Sequence, residues 1–276
     1  MVRQTFPLLS RDRDDSINGE DVVIETELAT YLARDGYHPR SSKHSDYQSL
    51  IIIRDLVTQC PTLAKRAATG EVVAKLRHHQ QVAHADWVID IAIGTCAGAP
   101  KPPPTGTPIA FDTPVIIQIA IELKGVFTEH GKARRNRLRD FQSFHGYAHQ
   151  YDPKTVAAAY LVVNASEYFY SPLRDDSDIT RHAKSKADAR SQAAKAVDLF
   201  RSIHLRNAPS DSPGLEALGV TVIEHDNLNI HPNPSAHSVT PQKTQVAPTP
   251  PNLPIGDPLH YEGMIQRICT QYAQRF

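Results

Sequence analysis

Two near-continuous runs of β-branched residues, at positions 86–94 and 115–126, are the strongest feature of the hydrophobic pattern. Such runs are typical of strands that are buried on both faces of a mixed or parallel sheet. Shorter runs at positions 156–164 and 219–224 predict two further strands.

Apolar residues at helical spacing fill much of the remaining chain. Five segments show this spacing: residues 20–36, 46–60, 64–81, 132–151 and 184–203. Within the second segment, the sequence IIIR at 51–54 fits a strand equally well. Helices alternating with strands predict an α/β fold with a mixed sheet flanked by helices.

Fourteen of the 21 prolines fall in two stretches, residues 100–114 and 232–258, which are therefore predicted to be loops or linkers. The first predicts an elongated hairpin connection between the two long strands. The second isolates a C-terminal segment. The predicted division is a domain at 1–230, a proline-rich linker at 231–257 and a C-terminal docking helix at 258–276.

The C-terminal segment has an apolar stripe in which Met264, Ile268 and Tyr272 are spaced at i, i+4 and i+8. An amphipathic helix of this kind docks through its apolar face, either on its own domain or on a partner subunit. The second possibility predicts a homodimer.

Thirty basic and 30 acidic residues give a formal net charge of zero, which excludes a generally basic nucleic-acid coat protein. Any DNA site must therefore be a local patch. The odd number and wide spacing of Cys60, Cys96 and Cys269 predict reduced thiols. We expect a cytoplasmic location without membrane contact, because the chain has no long apolar run and no recognisable signal peptide at its start.

Three ionisable residues lie inside the two long apolar runs that predict the first two strands. Asp90 lies in the first, and Glu122 and Lys124 lie near the end of the second. Residues two apart in a strand share a face, so Glu122 and Lys124 project together while Leu123 points into the opposite layer. If the strands pair as a hairpin, Asp90 lies beside Glu122.

Two neighbouring carboxylates repel each other unless a cation lies between them, so Asp90, Glu122 and the Leu123 carbonyl suit Mg²⁺. Lys124 would then orient a water molecule or stabilise negative charge during phosphodiester hydrolysis. The structural alternative is an ordinary hydrogen bond for Asp90 and a Glu122–Lys124 pair on a solvated strand edge.

This pattern resembles that of the PD-(D/E)xK nuclease superfamily, whose core is a helix, three strands, a helix and a strand. Asp90, preceded by Ile89 rather than proline, matches the first motif position, and Glu122-Leu123-Lys124 matches the second. The resemblance covers roughly residues 20–165 and implies a restriction-endonuclease-like core.

The opening helix also resembles that of archaeal Holliday-junction resolvases, which implies that Glu25, rather than Glu27, joins the metal site. The chain departs from a minimal resolvase by a helical insertion at about residues 38–85 and by its C-terminal extension. Elaborations of this size look more like a type II restriction endonuclease, which must also recognise a DNA sequence.

The predicted helix at 132–151 opens with a cluster of cations that offers contacts to DNA phosphates. The expected DNA-binding residues are Lys132, Arg134, Arg135, Arg137, Arg139 and Gln142. The plainer interpretation of the cluster is a solvated, charged helix face.

The sequence thus predicts a Mg²⁺-dependent, sequence-specific endonuclease that hydrolyses double-stranded DNA. The competing hypotheses are a structure-specific nuclease, such as a junction resolvase or repair enzyme, and a catalytically inactive DNA-binding subunit of the same fold.

Overall fold

A seven-stranded mixed sheet organises the chain in the computed structural model, which describes residues 24–128, 130–174, 179–234 and 239–276. The helices are α1 Ile24–Asp35, α2 Lys43–Gln59, α3 Pro61–Ala68, α4 His130–Tyr151, α5 Lys186–Arg201 and α6 Tyr261–Arg275. The strands are β1 Val72–Val82, β2 Ala85–Cys96, β3 Ala110–Phe111, β4 Pro114–Val126, β5 Val156–Asn164, β6 Tyr168–Tyr170, β7 Ile179–Arg181, β8 Ala217–Glu224 and β9 Gln245–Val246.

The strand order in the large sheet is β3-β1-β2-β4-β5-β8-β9. Strands β1, β2 and β4 pair antiparallel, whereas β4, β5 and β8 run parallel. Strands β5 and β8 are buried along their whole length, as expected for strands covered by helices on both faces. The α/β class, the mixed sheet and the antiparallel pairing of the two long strands are therefore confirmed.

Two apolar clusters lie on the two faces of the sheet. Residues of α1, α2, α3 and α6 pack on one face, and residues of α4 and α5 pack on the other. The predicted first helix is present from Ile24, while positions 20–23 and the N-terminal stretch used to predict location lie outside the described residues. No helix in the described ranges is long and apolar enough to cross a membrane.

The prediction of helix over 64–81 is wrong for most of its length. Helix α3 ends at Ala68, Gly70 adopts a left-handed conformation with φ +74°, and β1 begins at Val72. The apolar residues of this segment fit both periodicities, and its long ladder with β2 decides in favour of a strand. The ambiguous IIIR run lies inside α2. The insertion expected to be helical therefore includes a strand of the sheet.

The C-terminal segment docks on its own chain. Helix α6 covers β8, and Met264, Ile268 and Tyr272 are fully buried in the cluster with α1, α2 and α3. Part of the predicted linker also joins the sheet, as β9. Because the apolar stripe of α6 is used internally, it gives no support to the expected homodimer.

Cys60 and Cys269 form a disulfide that joins the end of α2 to α6, so the expectation of reduced thiols is wrong for this pair. Their separation of 209 positions hid the pairing from the sequence. Cys96 is free. Disulfides persist mainly in oxidising compartments, so this bond does not support the cytoplasmic location, which stays an expectation.

The substitution Cys269→Ser is expected to lower the free energy of unfolding of the oxidised protein by about 2–4 kcal/mol, because the cross-link no longer restricts the unfolded chain. Thermal unfolding with and without a reducing agent measures the effect. The matched control is Cys96→Ser, whose stability should respond to the reductant as the wild type does. Equal stability of Cys269→Ser and wild type without reductant would contradict the prediction.

Candidate functional site

Asp90 and Glu122 lie side by side where strands β2 and β4 part. The ladder between these strands ends with Ile91 opposite Ile121, so Asp90 is the first residue beyond it, across from Glu122. The Leu123 N–H donates a hydrogen bond of 2.7 Å to Oδ2 of Asp90. The Asp90 side chain thus takes the place of a main-chain partner at the point of separation.

Strand β2 changes face at Asp90. Trp87 and Ile89 pack with α4 and α5, whereas Ile91 and Ile93 pack on the opposite face of the sheet. Regular alternation would keep all four on one side. The neighbouring strand β1 is also irregular opposite Asp90. There Arg77 has φ +50° and is left out of the pairing, which continues on either side of it at Leu76 and His78. Asp90 therefore occupies a local break between two regular ladders.

Glu122 and Lys124 form an ion pair on the face of β4 that carries α4 and α5. Their cross-strand partners Ala159 and Leu161 belong to the apolar cluster on that face, and Leu123 belongs to the opposite one. The predicted shared face of Glu122 and Lys124 is confirmed. A solvated strand edge is excluded, because Glu122 is only 9% exposed and β4 lies between β2 and β5.

Burial raises the pKa values of both Asp90 and Glu122. Loss of solvent raises the pKa of Glu122 to about 7, and the neighbouring Asp90 contributes to the rise. Desolvation also raises the pKa of Asp90, and the hydrogen bond from Leu123 partly offsets this. Asp140 in α4, which sequence reasoning missed, raises the pKa of Glu122 further. Only the packing of α4 against β4 reveals its proximity.

Glu25 lies in a different cluster. Its carboxylate accepts a hydrogen bond of 2.9 Å from Thr221 in β8 and lies 3.6 Å from Nε2 of His260, which caps the start of α6. Glu27, the other acidic residue in the first turn of α1, pairs with Arg54. The structure therefore does not bring Glu25 to Asp90 and Glu122, and its predicted role in the metal site has no geometric support.

The chemistry of Asp90 and Glu122 fits Mg²⁺. Mg²⁺ is commonly held by one or two protein carboxylates together with water and substrate phosphate. Two adjacent carboxyls whose pKa values are raised by burial would gain from a neutralising cation. Across the described ranges, no three histidine, cysteine, aspartate or glutamate side chains gather as a candidate metal cluster. The fit thus depends on two side chains and on ligands from substrate or solvent.

Helix α4 brings basic residues close to the end of strand β4. Arg137 donates a hydrogen bond of 3.2 Å to the carbonyl of Gly125, the residue that follows Lys124, and pairs with Asp140. The other four predicted cations are at least partly exposed, with no ion-pair partner among the described residues: Lys132, Arg134, Arg135 and Arg139. Gln142 is exposed. A basic helix whose exposed cations have no ion-pair partner in the described part of the chain therefore follows the strand that carries Glu122 and Lys124.

A scan against protein-family models, a search of curated proteins and a search of solved structures each found no match to this chain. The fold and the geometry of the site are therefore the basis for any statement about function.

Proposed function

We propose that this protein is a Mg²⁺-dependent endonuclease that hydrolyses phosphodiester bonds in double-stranded DNA, with the sequence specificity of a restriction enzyme. The observation that carries the proposal is the buried Asp90–Glu122 pair at the break in β2, with Lys124 on the same face as Glu122. Fold alone does not define activity, so the proposal depends on these side chains.

The arrangement around the site supports this proposal. Helices α1 to α3 precede β1, β2 and β4, and α4 and β5 follow, with only the two-residue β3 intervening. That order agrees with the helix, three strands, helix and strand expected from the resemblance. The acidic pair lies on the central strands, and the basic helix begins four residues after β4 ends.

A Mg²⁺ ion held by Asp90 and Glu122, with the Leu123 carbonyl as a further ligand, would polarise the scissile phosphate and lower the pKa of a bound water. Lys124 is close enough to Glu122 to orient the attacking water or to stabilise charge on the phosphate. The hydrogen bond from Leu123 fixes the Asp90 carboxylate in place. The cations of α4 would bind the DNA backbone.

Incubation of the protein with unmethylated linear phage DNA, in Mg²⁺ and in EDTA, tests the proposal. Discrete fragments that form only with Mg²⁺ are the expected result, since a sequence-specific enzyme cuts at fixed positions. A smear would support a non-specific nuclease and remove the sequence-specific part of the proposal.

Intact linear DNA beside cleaved branched DNA would favour the structure-specific alternative, and no cleavage of any DNA would overturn the nuclease proposal. The resemblance to resolvases placed Glu25 in the metal site, and the structure places Glu25 with Thr221 and His260. The restriction-type activity is therefore the one that we put first.

A further inference from the structure

A cavity of about 350 Å³ opens beside the site, at the end of β4. Gly125, the residue after Lys124, lies in its wall, so the cavity begins one residue beyond the proposed catalytic lysine. Its volume is within the range of small-ligand sites, about 300–1,000 Å³. The lining comes from the turn after α1, the end of β4, the first turns of α4 and the segment around β6.

Aromatic rings form one wall of this cavity. Tyr37 stacks on Phe127 with ring centroids 3.9 Å apart and an interplanar angle of 16°. Phe169 packs against both rings. Phe127 and Phe169 are buried, whereas Tyr37 is half-buried and borders the open space. Tyr37, which also has an edge contact with His44, therefore brings a supported and partly exposed aromatic ring to the cavity.

Buried polar contacts hold Tyr37 in position. The Asn227 side chain accepts a hydrogen bond of 2.7 Å from the Tyr37 N–H and donates one of 2.8 Å to the Tyr37 carbonyl. The same amide donates to the carbonyl of Tyr170, which follows Phe169. Asn227 is fully buried, with φ 63°. The backbone of Tyr37 is thus fixed by a residue 190 positions away.

The rest of the lining is mainly positive and polar. Lys132 and Arg137 line it, and no acidic residue is among the described residues of the lining. Lys132 is exposed and has no ion-pair partner in the described part of the chain. Asn136 and Ser171 add hydrogen-bonding side chains. An aromatic ring in the same cavity as the exposed Lys132 and as Arg137, which also pairs with Asp140, matches a ligand with a planar ring and an anionic group.

We infer that this cavity binds one unpaired nucleotide of the DNA strand next to the scissile phosphate. The base stacks on Tyr37, and Lys132 and Arg137 bind the adjoining phosphate. Stacking on aromatic side chains tolerates any base, because every base has a π face. The inference rests on the proposed nuclease function, since that function identifies the scissile phosphate, but it is tested by binding alone.

The test uses a DNA duplex that carries 2-aminopurine as a single-nucleotide bulge, mixed with the full-length protein in EDTA so that no cleavage occurs. We expect binding to lower the 2-aminopurine fluorescence through stacking, and the bulged duplex to bind at least about tenfold more tightly than a fully paired one. Tyr37→Leu should abolish both effects and leave affinity for paired duplex unchanged.

The matched control is Tyr147→Leu, which removes a half-buried tyrosine of α4 outside the cavity and should keep both effects. Circular dichroism establishes that each variant is folded. If Tyr37→Leu does not fold, Lys132→Ala tests the phosphate contact at an exposed position, and we expect it to lower affinity for bulged DNA several-fold more than affinity for fully paired DNA. Equal affinity of wild type for bulged and paired DNA, or unaltered fluorescence, would overturn the inference.

The two proposals fail separately. Cleavage with Mg²⁺ but no fluorescence change would retain the nuclease and remove the nucleotide pocket. A Tyr37-dependent fluorescence change without cleavage of any DNA would support the nucleotide pocket and contradict the nuclease proposal. The phosphate next to the bound nucleotide could then no longer be called the scissile one.

Discussion

The substitution Glu122→Gln is expected to abolish Mg²⁺-dependent DNA cleavage while it stabilises the metal-free protein. Glutamine keeps the shape of the side chain but removes one of the two carboxylates that suit the metal. Loss of a metal ligand removes several kcal/mol of transition-state stabilisation, so we expect the cleavage rate to fall by about a thousandfold or more. DNA binding through α4 should persist, because those cations are unchanged.

The gain in stability follows from the raised pKa of Glu122. Below the pKa that the Glu122 carboxyl has in the unfolded chain, this carboxyl is neutral in both the folded and the unfolded state and does not change the free energy of unfolding. As the pH rises from there to about 7, the unfolded state ionises first and the folded state loses stability. Above pH 7 this cost is fully present. Glu122→Gln should therefore stabilise the protein at pH 8, by on the order of 3 kcal/mol, and have little effect near pH 4.

Urea unfolding at pH 4 and pH 8 in EDTA, combined with the cleavage assay in Mg²⁺, measures both effects. The control is Glu71→Gln, which neutralises an exposed glutamate paired with Arg66 and should change neither cleavage nor the pH dependence. Undiminished cleavage by Glu122→Gln would eliminate the proposed metal site. A variant that is less stable than wild type at pH 8 would show that the Lys124 ion pair outweighs the cost of burial.

The substitution Glu216→Gln is expected to cause the largest loss of stability, because Glu216 neutralises two buried guanidinium groups. Its Oε1 lies 2.9 Å from Arg206 and 3.0 Å from Arg275, and its Oε2 accepts a hydrogen bond of 2.7 Å from the Ala157 N–H. Both arginine side chains are at most 3% exposed. Removing the anion leaves two buried positive charges, and breaking such a group costs about 3–5 kcal/mol.

Urea unfolding compares this variant with Glu71→Gln, where the glutamate is exposed, its partner Arg66 keeps hydrogen bonds to Gln118 and Tyr272, and the ion pair contributes about 1 kcal/mol or less. Replacing Glu216 with leucine and both Arg206 and Arg275 with methionine should recover much of the loss, since an apolar cluster carries no unpaired charge. A loss no greater than that of Glu71→Gln would show that solvent or movement neutralises the arginines.

The hydrophobic pattern was sufficient for the strands at the centre of the sheet. Strands β4 and β5 contain long, nearly continuous apolar runs, which are typical of strands covered by helices on both faces. The local sequence is therefore enough to predict that these segments are strands. The same holds for the stripe of Met264, Ile268 and Tyr272, whose spacing predicts a buried helix face. That face is covered by its own chain rather than by a partner, and this choice depended on packing that spacing does not encode.

Strand β1 and the disulfide were not predictable in this way. Residues 72–82 contain apolar positions that fit a helix as well as a strand, and the pairing with β2 decides between them. Cys60 and Cys269 become neighbours only when α6 packs against α2 and α3. In both cases the structure depends on a contact between different segments of the chain, and the local sequence around each residue does not indicate that contact.

The features of the candidate site likewise divide into those that the local sequence predicts and those that depend on tertiary packing. Sequence alone determined that Asp90, Glu122 and Lys124 lie in buried strands and that Glu122 and Lys124 share a face, because strand periodicity and local hydrophobicity suffice for both. Only the tertiary structure placed Glu25 with Thr221, set Asp140 near Glu122 and assembled the cavity around Tyr37. Those relations join elements far apart in the chain, and their distances are set by how helices pack on the sheet.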